Sequence, residues 1–153
     1  MESLSDVAAF VGRILLALIF VLSGLNKILN ISTTAGFMAH AGIATSLVYP
    51  GLYLSIAVEL GCGLLVMAGL QARLAALVIF LWLIPVTLII HVASYNQAVQ
   101  QHQAMAALTQ QVMYIKNISM MGGLLLLAGR GPGRFSIDGQ ADRSGLSPTR
   151  SAA

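Results

Sequence analysis

Four stretches of this chain run for some twenty residues with hardly a charge among them, and no other feature limits the fold as tightly. The first has a core, Ile14 to Leu25, with no ionisable residue. A helix crossing the hydrocarbon of a bilayer needs roughly 20 such residues. Composition agrees: 58% of the chain is apolar and 8% is charged, with a mean hydropathy of +0.86. A soluble domain carries about a quarter charged residues, and disorder requires low hydrophobicity. Both classes are excluded. The 153 residues leave room for four or five crossings and no separate soluble domain. The predicted fold is therefore all-α: an integral membrane four-helix bundle in a single unit over 1–138.

The predicted spans are about 7–28, 50–70, 74–92 and 108–128. The first does not read as a secretory signal, because Glu2 and Asp6 precede it and no small-residue cleavage site follows. Pro50 suits the first turn of the second span. Pro85 lies inside the third, where it should kink the helix and free a carbonyl one turn earlier. Asn30 to Tyr49 is too polar to cross and reads as a short interfacial helix or re-entrant turn. Gln-rich Ala93 to Ala107 reads as a loop, and 139–153 as a disordered cytoplasmic tail. Arg73, Arg130, Arg134, Arg143 and Arg150 collect on the side of the termini, with Arg13 near it, whereas only Lys27 serves the other side. Cytoplasmic loops concentrate Lys and Arg, so both termini are expected in the cytoplasm of an inner-membrane protein.

Four charges nevertheless fall inside or at the edge of the spans: Arg13, Lys27, Glu59 and Lys116. A charge at the bilayer centre costs at least ~3 kcal/mol, and such residues pair, face the bundle interior or line a polar cavity. Arg13, Ala17, Phe20, Gly24 and Lys27 recur at steps of four and three, which places them on one helical face. Ser55, Glu59, Cys62 and Gly63 form a similar small and polar face on the second span, and Lys116, Ser119, Met120 and Gly123 on the fourth. Counting the rise of a helix puts Glu59 and Lys116 within ~5 Å of one depth, so an ion pair or a water-bridged contact between them is geometrically reasonable. Such a pair would be a structural clasp, with Arg13 and Lys27 snorkelling to the headgroups. Alternatively, three cations against one anion would favour an anion or a quinone oxygen in a medium that screens charge poorly. A proton relay through Glu59 is the third option.

The remaining chemistry is thin. Cys62 is the only cysteine, so there is neither an internal disulfide nor a C-x-x-C relay. His91 and His102 lack a carboxylate or cysteine nearby, and no metal site is expected. His40 reads as a loop residue, Trp82 as packing, and Tyr49 and Tyr53 as interface aromatics. Neither a nucleotide fingerprint nor a basic run for nucleic acid is present.

Several segments carry a resemblance. They are Arg13 through Phe20 with Ser23-Gly24-x-x-Lys27, Gly36-Phe37 with Ala41-Gly42-Ile43, and Val58-Glu59-Leu60-Gly61-Cys62-Gly63. Gly69-Leu70-Gln71-Ala72-Arg73-Leu74-Ala75-Ala76, Lys116-Asn117 with Gly122-Gly123, and Gly131 through Asp138 follow in order. The pattern resembles the DoxX family of small four-helix membrane proteins, within the surfeit-4-like superfamily. One departure is Gly42-Ile43-Ala44, where relatives tend to place a proline after Gly-Ile. The family takes its name from a membrane subunit of a thiosulfate:quinone oxidoreductase. The resemblance therefore implies an accessory role in a quinone-linked redox system, with quinone as the cofactor and a redox subunit or a second copy of the chain as partner. It also marks Arg13, Lys27, Glu59, Lys116 and Asn117 as family motif positions, the candidate ligand site. A small permease component and a non-catalytic scaffold are the alternatives.

Overall fold

A computed structural model describes residues 2–143, and every regular element among them is helical. In chain order these are α1 (Glu2–Leu29), α2 (Ile31–His40), α3 (Thr45–Ala68), α4 (Ala72–Gln100), α5 (Ala104–Arg130) and α6 (Ile137–Arg143). Helices α1, α3, α4 and α5 are long and apolar enough to cross a membrane. Helix α1 packs along α3, the second half of α3 packs on α4, and α4 lies against α5 along its length. The core where they meet is built from Ala17, Phe20, Val66, Ala76, Ile79 and Leu124. Leucines such as Leu15 and Leu126, both 64% exposed, face outward instead. An apolar exterior of this kind suits a lipid surround.

The interior stripe on α1 is buried as its spacing requires: Arg13, Ala17 and Phe20 are all at most 3% exposed. Small residues bring the backbones together. A Cβ on Gly24 would lie 2.8 Å from the Leu60 Cβ, and one on Gly63 would lie 3.2 Å from the Phe20 Cβ. The stripe on α5 differs from its expected form. Ser119 is exposed and donates back to the Ile115 carbonyl at 3.2 Å, while neighbouring Asn117 is the residue that turns inward.

Three boundaries also differ. Helix α3 begins at Thr45, so Pro50 sits in its second turn rather than its first. Helix α4 continues to Gln100, and the Gln-rich stretch expected to be a loop contributes another two turns. Glutamine is a good helix former, and Tyr95 stacks edge-on against Tyr114 at 5.7 Å, holding this extension to α5. The tail is helical through Arg143, past residue 139 where disorder was expected, and 144–153 lie outside the described residues.

Two membrane helices contain π-helical turns, Ala57–Cys62 in α3 and Val86–Val92 in α4. The second follows Pro85, so the missing N–H is accommodated by a widened turn. At the other end, the α3–α4 turn closes with Gly69 in the left-handed region (φ 70), and the Leu70 N–H donates to the Leu65 carbonyl at 3.0 Å. A Cβ on Gly69 would overlap the Ser136 Cβ, so a side chain there is excluded by space as well as by torsion.

Candidate functional site

At the end of the bundle opposite the termini, α1, α2, α3, α4 and α5 line a half-open cavity of about 580 Å³. That volume is in the range of small-molecule sites. Its wall is mostly apolar, with Phe37, Leu54, Trp82 and Ile89 among the larger contributors. Lys27, Glu59, Lys116 and His91 supply its charged and titratable groups. Both π-helical turns contribute to the wall, through Glu59 in α3 and His91 in α4. Widened turns of this kind recur at functional sites because they re-aim side chains.

The ion pair in the cavity is Lys27–Glu59, not the Glu59–Lys116 contact that depth alone allows. Glu59 is 5% exposed, and Ser55, one turn earlier on α3, donates its hydroxyl to Oε1 at 2.9 Å. Lys27 donates to the same carboxylate and to Ser23 Oγ, the latter at 2.9 Å. The pair therefore joins α1 to the π-helical turn of α3, with a serine beside each partner. It forms because Gly24 lets Leu60 approach α1, which carries the neighbouring carboxylate to the Lys27 side.

Lys116 is left over. Its ammonium meets only the Met113 sulfur, at 3.4 Å, and no carboxylate pairs with it among the described residues. It lies within the electrostatic reach of both Glu59 and Lys27. His91 donates from Nδ1 to Gln110 Oε1 at 2.8 Å, a contact that fixes its ring at the α4–α5 interface. The cavity thus holds two lysines against one carboxylate, and the unmatched positive charge is on Lys116.

The other two predicted site residues lie elsewhere. Arg13 is fourteen residues from Lys27, about 21 Å along a helix, and sits at the termini end of the bundle. It is 3% exposed and does not snorkel. Its guanidinium donates to the Pro132 carbonyl at 2.5 Å and to the Phe135 carbonyl at 2.7 Å, and it lies over the Phe10 ring at 5.5 Å. Arg13 therefore ties the segment after α5 back onto α1. Asn117 is 3% exposed and donates from Nδ2 to Thr87 Oγ1 at 3.0 Å, joining α5 to the π-helical turn of α4. It supports the cavity from behind and is not in its wall.

Trp82 and His91, read from sequence as a packing residue and an isolated histidine, both line the cavity. Their positions, three residues before and six residues after the Pro85 break, were the available signal.

The chain matches the DoxX family over residues 8–92. It is also 31% identical over 140 residues to the inner membrane protein YqjF of Escherichia coli (strain K12), an alignment covering 90% of this chain and 95% of that protein. No solved structure matches it.

Proposed function

From the premise that this chain belongs to the DoxX family and is an inner-membrane protein, we propose that it is an accessory membrane subunit of a quinone-linked redox system, with both termini in the cytoplasm. Its cavity would hold the head of a quinone or a small oxyanion beside Lys116. The observation that carries this reading is the single ammonium without an oxygen partner in a mainly apolar chamber. At low dielectric such a charge is weakly screened and attracts electron-rich oxygen. A ring with two carbonyls and an apolar body fits the wall better than a hydrated ion does, because most of the chamber offers no polar partner. Lys27 is already neutralised by Glu59, so Lys116 is the binding group and the Lys27–Glu59 pair shapes the site. The chain carries one cysteine and no redox motif, so electrons would be delivered by a partner subunit.

Trp82 is the only tryptophan of the chain and lines the cavity, so its fluorescence reports on occupancy. Titrating a short-chain ubiquinone analogue into protein in lipid nanodiscs should quench it saturably. Lys116→Met should weaken the apparent affinity at least about tenfold, the loss expected for one charge-assisted hydrogen bond. Quenching that never saturates, or that is the same in Lys116→Met, overturns the assignment.

A further inference from the structure

The end of the bundle that carries the termini has a second chamber, a groove of about 770 Å³ between the start of α4, the end of α5 and the segment that follows α5. Arg73, Arg130 and Arg134 line it, together with Asp6 and Asp138. The aspartates are engaged. Asp138 accepts the backbone N–H groups of Gln71 and Ala72 at 2.9 and 3.0 Å, and Asp6 lies 3.5 Å from Arg134. Arg73 and Arg130 have no carboxylate partner among the described residues. Three arginines against two aspartates leave a net positive charge, and it is concentrated on these two.

The groove is held in shape. Arg73 donates to the Gly129 and Arg130 carbonyls at 3.2 and 3.3 Å, across the last turn of α5. Gly131 (φ 89) leaves room for it, since a Cβ there would lie 3.0 Å from Arg73 Nη2. The floor is the segment that buried Arg13 fixes through the Pro132 and Phe135 carbonyls. Leu70 and Leu74 also line the groove and are 40% and 59% exposed, so its lower wall is apolar. Guanidinium groups above exposed leucines, at the end of a membrane span, lie where the phosphate layer of a bilayer meets its acyl chains.

We propose that this groove is a binding site for an anionic phospholipid of the leaflet on the side of the termini. Arg73 and Arg130 would hold the phosphodiester, and Leu70 and Leu74 would contact the first segment of the acyl chain. Basic pockets at the ends of membrane helices suit such headgroups. Guanidinium forks match phosphate oxygens in pairs, which a lysine cannot do. The net charge favours a headgroup without an ammonium of its own, so phosphatidylglycerol is expected to bind in preference to phosphatidylcholine. The site is independent of the cavity at the opposite end.

Native mass spectrometry of the full chain, released from mixed micelles containing equal amounts of the two lipids, tests this. The wild type should retain phosphatidylglycerol preferentially, and higher salt should reduce the preference. Arg130→Gln removes a guanidinium that makes no hydrogen bond or ion pair among the described residues, and should lower retention about fivefold. Arg73→Gln should do the same, and Lys116→Met should leave retention unchanged. A circular dichroism melt confirms that each variant is folded. Equal retention of both lipids by the wild type overturns the proposal, as does undiminished retention in folded Arg130→Gln and Arg73→Gln. Competition by millimolar inorganic phosphate that abolishes retention would identify the occupant as free phosphate and overturn the lipid assignment.

Discussion

Lys27 on α1 is the ion-pair partner of Glu59 on α3, although the two are 32 residues apart and belong to different spans. The pair has a direct energetic consequence, because removing one member strands the other charge at membrane depth. Breaking a buried pair costs roughly 3–5 kcal/mol, whereas replacing both members can be nearly neutral. Glu59→Gln should therefore lower the unfolding midpoint clearly. Lys27→Met combined with Glu59→Gln should recover more than half of that loss, and Lys116→Met combined with Glu59→Gln should recover less. Denaturant unfolding of the three variants in mixed micelles checks this. Equal recovery by the two double variants would place the partner of Glu59 wrongly.

Arg13 makes its own prediction at the opposite end. Arg13→Met leaves the Pro132 and Phe135 carbonyls without their buried donor, at a cost of roughly 2 kcal/mol. The segment from 131 to 143 should then exchange its amide hydrogens faster, while exchange in α2, beside the cavity, is unchanged. Hydrogen exchange read by mass spectrometry separates the two regions. Uniformly faster exchange along the chain would mean that Arg13 stabilises the whole bundle and does not act chiefly on this segment.

Close approach of α1 to the π-helical turn of α3 gives a third. Gly24→Ala places a methyl 2.8 Å from the Leu60 Cβ and should cost about 1–3 kcal/mol through displaced helices. Gly12→Ala, on the same helix with nothing within 4 Å, should be neutral or slightly stabilising. Melting temperatures of the two variants, measured in one detergent, provide the comparison. If both melt alike, the approach at Gly24 is not sterically limiting.

The spans were legible because charge in a bilayer is costly, and the same cost singled out Lys27, Glu59 and Lys116 for one interior chamber. Their pairing was not legible. Depth counted along ideal helices puts Glu59 within reach of Lys116, but Ala57–Cys62 winds as a π-helix, and Gly24 draws that turn onto α1. Arg13 shares the face of Lys27, so periodicity could not separate them. Its partners are backbone carbonyls of a segment more than a hundred residues later, and backbone acceptors leave no trace in side-chain patterning. The length of α4 was missed for a related reason: Gln97 to Gln101 is polar enough to end a span by hydropathy, yet glutamine does not end a helix.

Asn117 separates support of the chamber from binding within it. Its amide donates to Thr87 Oγ1 where α4 widens after Pro85, so Asn117→Leu removes a bond between helices and strands a hydroxyl that can return to its own backbone. Hydrogen bonds between membrane helices contribute about 0.6–2 kcal/mol, and the variant should lose stability within that range. Because Asn117 is behind the wall, quinone-analogue affinity read by Trp82 quenching should fall less than threefold, against the tenfold or greater loss expected for Lys116→Met one residue earlier. Comparable losses in the two variants, with Asn117→Leu still folded by circular dichroism, would move Asn117 from support to direct contact with the ligand.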